Sequence, residues 1–134
     1  MKVHGHCHCG ELVYEAEIDP AQVSICHCTD CQTLTGTAYR VSVPAKAGDL
    51  RFLKGTPKTY VKTTAESGRQ RAQAFCGSCG TPIYAADPQE PKLFNLRTGA
   101  LSERAELKPS RQIWCRSALD WVSDLDGMEM HEKA

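Results

Sequence analysis

Gln70-Arg71-Ala72-Gln73-Ala74-Phe75-Cys76-Gly77-Ser78-Cys79-Gly80-Thr81-Pro82-Ile83-Tyr84-Ala85 is the stretch on which the reading of the chain turns. Its centre is a C-x-x-C pair with glycine after each cysteine. Gly77 and Gly80 allow the tight backbone that aims two thiolates at one ion. Gln70–Phe75 runs into this knuckle as a strand, and Gly80-Thr81-Pro82 is a turn that restarts a strand at Pro82–Ala85. Two thiolates leave a tetrahedral ion half-coordinated, so the rest of the chain must supply two more ligands.

Outward from this unit, turn signals recur about every ten residues, with short segments rich in β-branched and aromatic residues between them. The turns include Cys9-Gly10, Asp19-Pro20, Gly48-Asp49, Ser67-Gly68, Asp87-Pro88 and Thr98-Gly99. The candidate strands are Leu12–Ala16, Val23–Cys26, Ala38–Val43, Arg51–Leu53, Lys58–Lys62, Lys92–Leu96 and Gln112–Cys115. Ala38–Val43 alternates apolar and polar residues as a half-buried strand does. Arg51–Leu53 and Lys58–Lys62 read as a hairpin around Gly55-Thr56-Pro57. Helix is confined to one or two short pieces, Thr29–Thr35 capped by Thr29 or Asp30, and Ser117–Val122. The expected fold is therefore all-β, one zinc-binding domain over residues 1–122 followed by a polar tail over residues 123–134.

The chain has eight cysteines among 134 residues. A disulfide framework needs an oxidising compartment, and the start, Met1–His6, lacks the apolar core of a signal peptide. Close C-x-C and C-x-x-C spacing is a metal signature. Cys7-His8-Cys9-Gly10 is the natural complement of the knuckle: Cys7 and Cys9 with Cys76 and Cys79 close a four-sulfur site, although seven clustered cysteines permit other groupings. Cys26-His27-Cys28-Thr29-Asp30-Cys31 then supplies three thiolates on one short segment. Three protein ligands with an open fourth position is how a catalytic zinc is held, and such a site suits a thiol, since a metal favours thiolate. The alternative is a second structural zinc completed by His27, His8 or Asp30. His27 stands between two ligands, and in an extended segment its side chain points to the opposite face. Iron can also occupy a tetrahedral sulfur site. The Cys28–Cys31 pair also matches a redox motif, but the βαβ pattern that would accompany it is missing.

The other conspicuous residues have plainer readings. His4 and His6 decorate a strand. Cys115 behaves as a small buried hydrophobe. Trp114 and Trp121 serve core or rim packing. Arg69 and Arg71, flanking Gln70, have the geometry to clamp a carboxylate from one strand face, with a solvated face as the default, and Arg97 is read the same way.

Sixteen basic and sixteen acidic residues cancel, so there is no general attraction for nucleic acid or an anionic membrane. No apolar run is long enough to span a bilayer. The expectation is a soluble, cytoplasmic protein with neither kind of partner. Only 7% of residues are aromatic, a thin core that points to metal as a second source of stability.

The combined pattern resembles the glutathione-dependent formaldehyde-activating enzyme family. The matching residues are Cys7-His8-Cys9-Gly10 with Leu12 and Tyr14, then Cys26-His27-Cys28, Cys31-Gln32 and Gly36. Phe75–Tyr84, Gly99 with Leu101, Ile113 and Trp121 complete the match, which spans residues 5 to 122. The resemblance implies a largely antiparallel β-tent. It implies two zinc ions, one structural on Cys7, Cys9, Cys76 and Cys79 and one catalytic on Cys26, Cys28 and Cys31. It also implies a carbon–sulfur lyase that joins glutathione to formaldehyde as S-hydroxymethylglutathione. A non-enzymatic glutathione carrier, or a zinc scaffold for protein contacts, is the alternative.

Overall fold

Short alternating segments separated by turns cannot each bury an apolar face alone, and here they do so by forming two sheets over one core. The computed structural model describes all 134 residues. The strands are β1 (Lys2–His6), β2 (Val13–Glu17), β3 (Ser24–Cys26), β4 (Arg40–Lys46), β5 (Leu50–Lys54), β6 (Lys58–Lys62), β7 (Arg71–Phe75), β8 (Pro82–Ala86), β9 (Leu93–Arg97) and β10 (Arg111–Ile113). One α-helix, α1 (Thr29–Thr35), joins β3 to β4, and the remaining helical pieces are single 3-10 turns. The smaller sheet has the order β1-β2-β5 and the larger one β10-β3-β4-β9-β8-β7-β6. All pairings are antiparallel except β10 with β3. The fold is all-β, as the turn spacing indicates.

Val3, Tyr14 and Ala16 of the smaller sheet meet Val43, Ile83 and Leu96 of the larger one in a single buried cluster that also contains Cys7 and Cys76. A glycine makes the closest approach between the strands of the smaller sheet. Gly5 lies opposite Tyr14 in the β1–β2 register, and a Cβ there would fall within the Tyr14 ring. Tyr14 is fully buried and has no room to retreat. Gly5→Ala is therefore expected to destabilise by about 1–3 kcal/mol through overpacking. This outweighs the roughly 0.5–1 kcal/mol that removing a mid-strand glycine would otherwise return. A urea titration should show a lower midpoint at unchanged slope.

The expected hairpin around Gly55 does not form. β5 pairs with β2 in the smaller sheet, and β6 pairs with β7 in the larger one. The intervening Gly55 has φ +73°, and a Cβ would sit 2.8 Å from Leu12 Cδ2 and closer still to the Glu11 carbonyl. The connection is thus a crossing between sheets at a point where only glycine passes. β1 is missing from the candidate strands, although His4 and His6 read as strand residues: its Lys2-Val3-His4-Gly5-His6 pattern alternates, but three polar residues and a glycine carry no β propensity signal.

Helix α1 has the expected bounds, but its N-cap is Cys28, whose Sγ accepts a hydrogen bond from the Cys31 amide at 3.3 Å. Ser117–Val122 is not one helix. The chain there makes 3-10 turns at Cys115–Ser117 and Asp120–Ser123. Residues 123–134 are exposed throughout. No helix is long and apolar enough to cross a membrane.

Candidate functional site

All eight cysteines are free, and seven fall into two groups of converging sulfurs. The first group joins the β1–β2 turn to the β7–β8 turn. In the first turn the Gly10 amide donates to the Cys7 carbonyl and the Leu12 amide to Cys7 Sγ, at 3.1 and 3.2 Å. In the second the Gly80 amide donates to the Cys76 carbonyl at 2.9 Å. Cys7 Sγ lies 3.5 Å from Cys9 Sγ, and Cys9 Sγ lies 3.7 Å from Cys76 Sγ. Zinc–sulfur bonds of about 2.3 Å in a regular tetrahedron place sulfurs about 3.8 Å apart, so this donor set fits a zinc ion. Cys7 and Cys76 are buried, while Cys9 and Cys79 face outward. The Thr81 hydroxyl at 3.1 Å is the main cause that holds the Cys79 thiol down to about 5.

The second group is Cys26, Cys28 and Cys31, whose sulfurs all lie within 4.8 Å of one another. Cys26 ends β3, Cys28 caps α1, and Cys31 lies in its first turn, so the strand-to-helix corner turns all three inward. None of the three candidates for a fourth ligand belongs to the group. His27 is buried on the other side of the segment, with its Nε2 2.7 Å from Gln112 Oε1 and its ring edge-on to Tyr39. The Asp30 carboxylate pairs with Lys62 at 2.9 Å and accepts from Thr64. His8 is exposed, and its backbone amide donates to Thr81. The corner itself is held by Gln32, whose Nε2 donates to the carbonyls of His27 and Ser117, both at 2.9 Å. A hydrogen bond from the Cys26 thiol is the chief cause that lowers Cys31 to about 5, helped by Cys28, Arg40 and Arg97 against the cost of burial. Cys26 moves upward for the same reason, with burial adding to the shift.

The three sulfurs open into a cavity of about 240 Å³ over one face of the larger sheet. Side chains two apart on a strand share a face, and here the pairs are Ser24 and Cys26, Arg40 and Ser42, Asn95 and Arg97, and Arg71 and Gln73. Register aligns them across the sheet: Cys26 faces Arg40 on the neighbouring strand, and Ser42 faces Arg97. The opposite face, with Val43 and Leu96, is the core.

The cavity on this polar face overturns several expectations. Arg97 is not on a solvated face: it is 9% exposed and donates to Ser42 Oγ and Gln73 Oε1, each at 2.8 Å. Burial, and then the neighbouring Arg40, lower its guanidinium to about 9. Arg71 lines the cysteine cavity, while Arg69 precedes the strand and is exposed. Arg40, 5% exposed, is inconspicuous in the sequence, because an arginine within an alternating strand reads as its solvent side. The one signal that could have found it is its place two residues from Ser42 in a strand that must lie beside Cys26.

The tryptophans are not core. Trp114 is 41% exposed and lines the cysteine cavity with Ile113, and the Arg116 guanidinium lies 5.0 Å above its ring. At φ +58° it is the sole non-glycine residue in the left-handed region, a conformation rare for a bulky residue and common where function imposes it. Trp121 lines a separate cavity of about 580 Å³ that also touches Arg40 and Arg97. Cys115 is exposed, not a buried hydrophobe, since the turn that follows Trp114 carries it outward. His4 sits on β1 and pairs with Glu103 at 2.7 Å, and His6 Nδ1 lies 3.2 Å from the Cys7 carbonyl, so both decorate the strand.

Comparison with known proteins gives one family match, to the family described as glutathione-dependent formaldehyde-activating enzyme, over residues 2–117. A Halomonas elongata protein provisionally named a glutathione-dependent formaldehyde-activating enzyme is 24% identical over 127 residues, covering 91% of this chain and 80% of that one. The crystal structure of a Rhodobacter sphaeroides protein superposes with a TM-score of 0.61 at 21% identity, covering 84% of this chain and 99% of that one. At that identity the likeness speaks to the fold alone.

Proposed function

The chain belongs to the glutathione-dependent formaldehyde-activating enzyme family, and from that premise we propose that it catalyses the addition of a small thiol, glutathione, to formaldehyde, the reaction of a carbon–sulfur lyase run in either direction. The observation that carries this reading is the inequality of the two sulfur groups: four sulfurs in one, three beside an open cavity in the other. Four thiolates saturate a structural zinc, and three leave a position for a ligand from solution. Cys7, Cys9, Cys76 and Cys79 would hold the first ion, and Cys26, Cys28 and Cys31 the second. Zinc bound at the second site supplies a centre that favours thiolate over thiol.

The chain's own residues do the rest. Gln32 and the Cys28 cap fix the strand-to-helix corner that aims the three sulfurs. Trp114 and Ile113 wall the cavity beside them. Arg40 and Arg97 hold positive charge against the sulfurs, which favours an anionic over a neutral sulfur in the cavity. In the forward direction the sulfur–carbon bond forms as the carbonyl π bond breaks, and the thiol's proton ends on the new hydroxyl oxygen. Free thiols in these numbers suit a reducing compartment such as the cytoplasm.

The test is the rate of adduct formation from glutathione and formaldehyde, followed by NMR with and without the zinc-loaded protein. The expected result is acceleration over the spontaneous reaction that scales with protein concentration. Glutathione binding with no gain in rate would make the protein a carrier and sink the enzyme reading.

A further inference from the structure

The cysteine cavity is strongly cationic in a chain whose charges balance. Arg40, Lys62, Arg71 and Arg97 line it, and no Asp or Glu does. Lys62 is neutralised by Asp30. The three arginines have no such partner, because the ion pairs of the Lys, Arg and N-terminal groups belong to Met1, Lys2, Arg51, Lys62 and Arg116. Asp87 acts on Arg71 through space without forming a salt bridge, and it lines a separate cavity with Glu90.

Burial makes this arrangement costly. Arg40 and Arg97 are each more than nine-tenths buried, and both leave Nε without an acceptor. A guanidinium has five donors. Arg97 uses two, both on neutral oxygens, which fixes its orientation without cancelling its charge. Arg40 donates to no oxygen, and its anionic neighbours are the three sulfurs, Cys31 foremost. The sulfurs do not balance the arginines: three thiolates around one divalent ion carry a single negative charge, against three guanidiniums. One thiolate from solution would still leave an excess of one positive charge. Unpaired buried charge is among the least favourable features a fold can keep, and a planar guanidinium binds a carboxylate through two parallel hydrogen bonds.

We propose that Arg40, Arg71 and Arg97 form a receptor for a carboxylate of the substrate thiol, so that the site selects thiols carrying an acid group over neutral thiols of the same size. The inference rests on the thiol-addition reading for the position of the sulfur, and it adds the substrate class. Arg97 is preset by Ser42 and Gln73, Arg40 stands beside Cys26 in the neighbouring strand, and Arg71 is half-buried where the cavity meets the surface. All three project from the same sheet face as Cys26, so a ligand whose sulfur reaches the cysteines lays its remaining atoms along the arginines.

The experiment is titration calorimetry on the zinc-loaded protein with a matched pair of thiols, 3-mercaptopropionate and 3-mercaptopropan-1-ol, and with S-methylglutathione, which has carboxylates but no free thiol. Charge-assisted hydrogen bonds lead us to expect the acid to bind roughly 10- to 100-fold tighter than the alcohol. Arg71→Gln should remove about tenfold or more of that preference while leaving the alcohol's affinity unchanged, and Arg97→Met should lower both affinities, the acid's by about tenfold more. Arg71 is half-exposed, so Arg71→Gln decides the matter even if Arg97→Met fails to fold. Equal affinity for acid and alcohol in the unmodified protein overturns the receptor, and so does a preference that survives Arg71→Gln. The two readings fail separately. Arg71-dependent binding of S-methylglutathione with no acceleration of adduct formation keeps the receptor and removes the thiol chemistry. Acceleration with no preference between the matched thiols does the reverse.

Discussion

Cys76→Ser is expected to unfold the protein. Cys76 is 1% exposed and lies in the core cluster together with Cys7, and the two belong to turns that are 69 positions apart in sequence and in different sheets. An ion held by the four-sulfur group would therefore cross-link the smaller sheet, through the β1–β2 turn, to the larger one, through the β7–β8 turn. Structural zinc in small sites contributes about 10–16 kcal/mol of apparent binding free energy at neutral pH, all of it available to folding when the unfolded chain has no site. A whole domain is typically stable by about 5–15 kcal/mol. The expected observation is a far-UV circular dichroism spectrum without sheet signal and no cooperative melting transition, with the same outcome when the native protein is exhaustively chelated. A variant that melts cooperatively within a few degrees of the native protein would remove the cross-link from the account of this fold.

The second large effect is the opposite in kind. Cys31→Ser should abolish metal binding at the three-sulfur group and reduce adduct formation to the spontaneous rate, yet leave the fold intact. Cys26, Cys28 and Cys31 all lie on one six-residue segment, so an ion there closes no long loop. The segment has other attachments: Gln32 to His27 and Ser117, the His27 amide to the Ile113 carbonyl, and the β3 pairings to both neighbours. Serine at position 31 also keeps the backbone amide that bonds the Cys28 cap. Metal analysis of the variant should give one ion fewer per chain, and its melting temperature should fall by a few degrees at most. If Cys31→Ser and Cys76→Ser unfold alike, the division into one structural and one open site is wrong.

The two predictions differ because the groups differ in sequence separation, and that difference is readable in the order of residues alone. C-x-C and C-x-x-C spacings place thiolates together by local backbone geometry, so the Cys26, Cys28 and Cys31 group follows from residue order, whereas ligand counting favours the four-sulfur grouping and leaves others open. Helix α1 is legible for the same local reason, down to its bounds. What spacing does not reveal is its cap, because a cysteine accepting a hydrogen bond is not among the usual cap residues. The strands are mostly legible as segments, but their partners are not. The turn at Gly55 looks like a hairpin because only a short link separates β5 from β6, yet each finds its neighbour in a different sheet.

The arginines mark the limit most clearly. Which face a strand residue occupies depends on the phase of alternation, and a shift of one position exchanges inside for outside. Arg40 of β4 and Arg97 of β9 lie on the face opposite the core, and they are buried because that face carries the cysteine cavity and not open solvent. No local property of either segment distinguishes this from the solvated alternative. The order of the cysteines along the chain thus dictates the close pairs and the Cys26, Cys28 and Cys31 cluster, since their geometry is set within a few residues, whereas bringing Cys7 and Cys9 to Cys76 and Cys79 takes the folded sheets. The surroundings of the open group are settled by folding, because the cationic face is assembled from β4, β7 and β9, whose register is a property of pairing between distant segments and of which side of the sheet the core takes.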